Sequence, residues 1–107
     1  MKAIPLIENN GYEKSESEDA THVMLHLPCQ EDTLVIPVIL KGKREGTNCW
    51  SWNGDTEKPT LKPSVLVYGS NNSKSHSFIN NGIVKYLKDS THNLSGQEVE
   101  LKEVKWS

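Results

Sequence analysis

Three side chains between Ser75 and His92 are of the types that move protons or bind metals: His76, Asp89 and His92. Between them lies the turn signal Asn80-Asn81-Gly82, flanked by the apolar pairs Phe78-Ile79 and Ile83-Val84. Asn and Gly tolerate the positive φ of a tight hairpin turn, so the flanking runs read as two strands folded back on each other. His76 stands at the start of the first strand, and Asp89 and His92 follow the second. One fold-back therefore carries two imidazoles and a carboxylate to the same end of a hairpin.

Two chemistries suit that set. A zinc ion needs three or four nitrogen, sulfur or oxygen donors, and a catalytic ion keeps one position open for water. His76, His92 and Asp89 supply three, with Cys29, Cys49 or water as a fourth, and Asp89 acts either as a ligand or as a hydrogen-bond partner behind one. In the competing chemistry a serine is the nucleophile. Ser64, Ser75, Ser77 and Ser90 lie in or beside the same segments, and a histidine with Asp89 behind it completes the base and its orienting carboxylate. The plain alternative is that Asp89 caps a turn while the histidines bond to backbone. Spacing alone does not separate these readings.

The elements that must position the residues are short strands. Ile4–Ile7 reads as an edge strand, since Pro5 lacks a ladder donor. After Thr21 the pattern alternates, with His22, Met24 and His26 on one face and Val23, Leu25 and Leu27 on the other. On such a strand His22 and His26 lie ~13 Å apart, too far to share one ion, and both read as polar-face residues. Leu34–Leu40 is the most apolar run, with Pro37 implying a bulge or an edge. Lys41–Gly46 reads as a polar loop.

Trp50 and Trp52 face one side of a strand before the Asn53-Gly54 turn, either as core bulk or as a stacking platform beside a cleft. A pocket there would be lined by Trp50, Trp52, Asn53, Ser64 and Ser75. Pro59 and Pro63 keep Glu57–Ser64 extended. Val65–Tyr68 continues as a strand, and Gly69–Lys74 reads as a loop. Asp89–His92 reads as a turn with Asp89 as its N-cap and His92 on the same side. Glu98–Trp106 reads as a last strand whose apolar spacing slips between Leu101 and Val104, as at a bulge.

A chain of 107 residues suits one domain, 1–107, with its acidic stretch 8–20 as a flexible strap. Strand signals alternate with turns and no long amphipathic helix is evident. The expected fold is mainly β, an antiparallel sheet or a partly open barrel or sandwich of six to eight short strands with little helix. A net charge of -2 offers no footprint for nucleic acid. No apolar run approaches the span of a bilayer, and the first residues lack a signal-peptide pattern, so a cytoplasmic setting with reduced thiols is expected. No P-loop, dinucleotide fingerprint or G-x-S-x-G elbow is present.

The segments W-S-W-N-G-D-T-E-K-P-T-L-K-P-S and S-H-S-F-I-N-N-G-I-V-K-Y-L-K-D-S-T-H-N-L-S-G-Q resemble a family of small phage and prophage proteins, domain of unknown function 6527. Its pattern is W-x-W-N-G, P-T-x-x-P-S, C-H-S-F, G-x-I-x-F-L and D-x-x-H-x-L-x-G-Q. Members are often labelled ammonia monooxygenase, which nothing in these residues supports. Related domains beside bacterial ubiquitin-like conjugation genes are regarded as peptidases. The resemblance implies that His76, Asp89 and His92 are site residues. Two departures stand out: Ser75 replaces the family cysteine, and Leu27-Pro28-Cys29-Gln30 replaces a C-P-G-C element. Serine is a poor substitute for a thiolate on zinc, which weakens a metal site here.

The leading expectation is thus a small metal-dependent, peptidase-like hydrolase of phage or prophage type. In it His76 and His92 hold zinc, Asp89 assists, and bound water attacks an acyl carbon of a peptide. The alternative is a non-catalytic phage accessory protein that uses Trp50 and Trp52 to bind a host protein or a small signalling ligand, in counter-defence. Neither reading calls for nucleic acid or a membrane.

Overall fold

In the computed structural model, which describes residues 1–40, 49–69 and 73–106, strand alternation governs nearly all of the regular structure. The strands are β1 (Ala3–Glu8), β2 (Tyr12–Lys14), β3 (His22–Leu25), β4 (Leu34–Leu40), β5 (Trp50–Trp52), β6 (Leu61–Tyr68), β7 (Lys74–Asn80), β8 (Ile83–Tyr86) and β9 (Glu98–Glu100). They form one open sheet in the order β2-β1-β3-β4-β5-β6-β7-β8-β9. All pairings are antiparallel except β4 with β5. The mainly β architecture expected from the sequence is present. The expected loop at Lys41–Gly46 and the middle of the one at Gly69–Lys74 lie outside the described residues.

Two prolines occupy interior strands without breaking them. Pro5 is buried in β1, and its carbonyl accepts from Ser15 N–H just past the end of β2, so its missing donor falls where that ladder stops. Pro37 sits where β4 changes partner: residues 34–37 pair with β3, and residues 38–40 with β5. The edge or bulge that proline demanded is supplied by this handover. The acidic stretch keeps its β2 side chains in solvent, but its backbone pairs with β1, and Ser17–Asp19 adds a single 3-10 turn.

The core explains the shape. Val23, Leu25, Leu27, Ile36, Val38, Trp52, Leu61, Val65, Ile79, Val84 and Tyr86 form one buried cluster drawn from β3 to β8. Strands that far apart in order can share a core only if the sheet coils, as twisted sheets do. The coil brings distant segments into contact: Cys29 N–H donates to the Tyr86 hydroxyl at 3.1 Å, and Lys102 N–H to the His26 carbonyl at 3.2 Å. The opposite face of β1 and β3 is covered by a second cluster of Ile4, Leu6, Met24 and Val104. This corrects the reading of Glu98–Trp106 as one strand. β9 stops at Glu100, and the slip in apolar spacing marks where the chain leaves β8 to lay Val104 over β1, with Val104 N–H bonded to the Met1 carbonyl.

The β7–β8 hairpin has the expected turn. Asn81 and Gly82 have φ of 54° and 78°, both in the left-handed region, as a two-residue primed turn requires. A Cβ on Gly82 would meet the Lys58 Cα at 3.3 Å as well as adopting a strained φ. Gly82→Ala is expected to cost about 1 to 2 kcal/mol, read as a lower denaturation midpoint at unchanged slope.

Candidate active site

Strand alternation decides which side chains of β7 meet. Ser75 and Ser77 are buried, 6% and 0% exposed, so Lys74, His76 and Phe78 lie on the opposite, outer face. On the neighbouring strand, Leu66 stands opposite His76, and the register shifts between the Leu61–Ile79 and Val65–Ser77 pairs. Phe78 alone therefore faces the three residues Lys62, Pro63 and Ser64. This bulge, with a cis peptide at Lys62-Pro63, leaves Ser64 within reach of His76. Trp50 Nε1 donates to the Ser64 carbonyl at 2.9 Å and fixes the backbone there.

Asp89 arrives from the other side. Beyond β8 the chain follows β7 through alternate bonds: Leu87 N–H to the His76 carbonyl, and Thr91 N–H to the Lys74 carbonyl. Ser90 Oγ both accepts from His76 N–H and donates to the His76 carbonyl, each at 3.0 Å. Ser90 N–H bonds to the Leu87 carbonyl, so Asp89 is the third residue of a tight turn and not an N-cap. The turn points its carboxylate at His76.

The result is a continuous chain of polar contacts. Ser64 Oγ lies 3.0 Å from His76 Nε2, and His76 Nδ1 lies 3.1 Å from Asp89 Oδ2. Lys74 Nζ reaches the same Oδ2 at 3.0 Å. The Lys74 ammonium, with His76 second, holds the Asp89 carboxyl below its ordinary 3.8. An ionised carboxylate only accepts, so a neutral His76 ring holds its proton on Nδ1 and leaves Nε2 to accept from the Ser64 hydroxyl. That tautomer is the one a general base facing a serine needs.

The remaining site expectations resolve differently. His76 and Asp89 come together, but His92 does not join them. Its Nδ1 accepts from Leu94 N–H at 3.1 Å, and its ring packs edge-on to Tyr86 at 4.5 Å. Among the described residues no group of three or more His, Cys, Asp or Glu side chains is placed to hold a metal ion. Ser75 turns inward, its Oγ 3.4 Å from Cys29 Sγ. Trp52 is core at 1% exposure, and Trp50 packs partly buried beside it. Asn53 lines a shallow groove with Ser51, Thr60 and Lys62. His22 contacts Tyr12 and Thr21, and His26 Nε2 bonds to the Gln30 carbonyl. Lys74 was missed in the sequence. Its spacing of two from His76 on a strand was the available signal, since that spacing places it on the same face.

The shifts at Asp89 and His92 have measurable consequences. Lowering the Asp89 pKa means that its stabilising contribution is complete above the ordinary carboxylate range and is lost as pH falls through the lowered value. Carboxyl NMR titration is expected to place Asp89 below 3.8, with Lys74→Met raising it. Burial pushes His92 below its ordinary 6.5. The unfolded chain thus binds the His92 proton first, and stability should decline as pH drops from about 6.5 towards the lowered value. His92→Gln is expected to flatten that part of the stability–pH curve.

A family model described as bacterial ubiquitination-like system serine protease, BubE, matches residues 3–87. The matched span contains Ser64 and His76 and ends just before Asp89. No curated protein and no solved structure matches the chain.

Proposed function

Given that the chain belongs to the BubE family of bacterial ubiquitination-like system serine proteases, we propose that it is a peptidase whose nucleophile, base and orienting carboxylate are Ser64, His76 and Asp89. The observation that carries this reading is the His76 ring, whose two nitrogens lie within hydrogen-bond distance of a serine and an aspartate from separate elements. The Ser64 hydroxyl passes its proton to Nε2 as Oγ attacks the acyl carbon of a peptide. His76 then gives that proton to the departing amine, leaving Ser64 acylated. Water, deprotonated by the same nitrogen, releases the acid. Asp89 keeps the ring in the working tautomer and offsets the charge of the imidazolium, and Lys74 keeps Asp89 ionised and in place.

Under this proposal His76 and Asp89 retain the importance expected of them, and the water-activating role given to zinc passes to the serine–histidine pair. The substrate is a polypeptide of a ubiquitination-like system. The setting is the cytoplasm, consistent with Cys29 and Cys49 being free thiols, and it is the host's cytoplasm where a phage or prophage carries the gene.

A fluorophosphonate should modify one serine, and peptide mapping should place the adduct on Ser64. Ser64→Ala should abolish labelling, and His76→Ala should slow it by roughly a thousandfold or more. Labelling and peptide hydrolysis should survive a zinc chelator. An adduct at another residue, or hydrolysis that persists in Ser64→Ala and disappears with the chelator, would contradict the reading.

A further inference from the structure

The open face around Ser64 is not symmetric. Along β6, His76 and Leu66 lie towards the strand's C-terminal end, followed by Tyr68 and Lys74. On the other side of Ser64 a groove of about 450 Å³ runs between β6 and β7, walled by Pro63 and Phe78, with Thr60, Lys62 and Asn80 at its polar margin. Phe78 is 46% exposed, although it sits on an interior strand between β6 and β8 and shares the face of His76. An aromatic ring left this open beside a nucleophile is available for an apolar partner.

Resting on the Ser64–His76–Asp89 reading, we infer that this groove seats the acyl half of the substrate and selects a large apolar side chain, leucine or phenylalanine, next to the scissile bond. The direction follows from the proton path. His76 must deliver its proton to the departing nitrogen, so the leaving half lies on the His76 side of Ser64 and the acyl half on the Pro63–Phe78 side. The polar margin fits the same orientation. Thr60 Oγ1 donates to Asn80 Oδ1 at 3.2 Å, which orients the Asn80 amide and leaves its Nδ2 to donate to a substrate carbonyl. Among the described residues no acidic side chain pairs with Lys62, which lines the groove and whose charge opposes a cationic side chain there. Phe78 is thus a specificity residue of the acyl side.

The test uses peptidyl phosphonate diphenyl esters that differ only in the side chain next to phosphorus: phenylalanine, leucine, alanine, aspartate or lysine. Ser64 Oγ displaces phenolate from phosphorus, and the rate of adduct formation is followed by intact mass. The phenylalanine and leucine probes should react about tenfold faster or more than the others. Phe78→Ala should remove that advantage through weaker probe binding, with the limiting rate and the alanine probe little changed, and Phe78→Leu should restore most of it. Fastest reaction with the lysine or aspartate probe, or a preference unmoved by Phe78→Ala, would overturn the acyl-side assignment while leaving Ser64 as nucleophile. Failure of every probe to modify Ser64 would overturn the nucleophile assignment and this inference with it.

Discussion

The imidazole of His76 is the point on which the functional architecture turns, because it joins three segments that the chain delivers separately. Ser64 comes from the bulge in β6, the ring itself from β7, and Asp89 from the turn after β8. Each hydrogen bond is worth only about 1 kcal/mol to stability, and these lie partly in solvent. The contacts to His76 therefore do not hold the fold together. The fold holds them, through the apolar cluster on the inner side of the same strands, where Leu61, Val65, Ile79 and Val84 are almost wholly buried.

That arrangement separates support from chemistry by strand parity. Inward residues of β6 and β7 fix the register, and outward residues carry the reactive groups. The bulge is what makes the two compatible. Without the extra residues between Leu61 and Val65 the ladder would be regular, and Ser64 would stand directly opposite Phe78. With them, the Ser64 hydroxyl reaches the next outward residue, and Phe78 is left to wall a groove. Trp50 and Ser90 complete the support by bonding backbone atoms of Ser64 and His76, so both groups are restrained at the main chain.

Much of this was legible in the sequence, for identifiable reasons. Asn81-Gly82 specified the hairpin, and the hairpin specified that His76 and Asp89 would meet. Alternation about His76 also excludes Ser75 and Ser77 as its partners, since neighbours on a strand point to opposite faces. Choosing Ser64 needed the β6–β7 register and its irregularity, which arise from long-range packing. The placement of His92 is not legible there, because a turn of αR character would set it beside Asp89, whereas the chain extends along β7 and sends the ring to Tyr86. The coiling of the sheet and the departure of residues 101–106 to cover β1 likewise depend on how distant apolar faces fit together. No local pattern encodes that.

The most direct measurement of the central claim is the protonation pattern of the His76 ring, read from long-range proton–nitrogen correlation spectra at neutral pH. A proton on Nδ1 and a bare Nε2 are expected, with Asp89→Asn shifting the population towards the other tautomer and Ser64→Ala perturbing Nε2 alone. A ring protonated on Nε2 in the unaltered protein, or a spectrum indifferent to both substitutions, would contradict it.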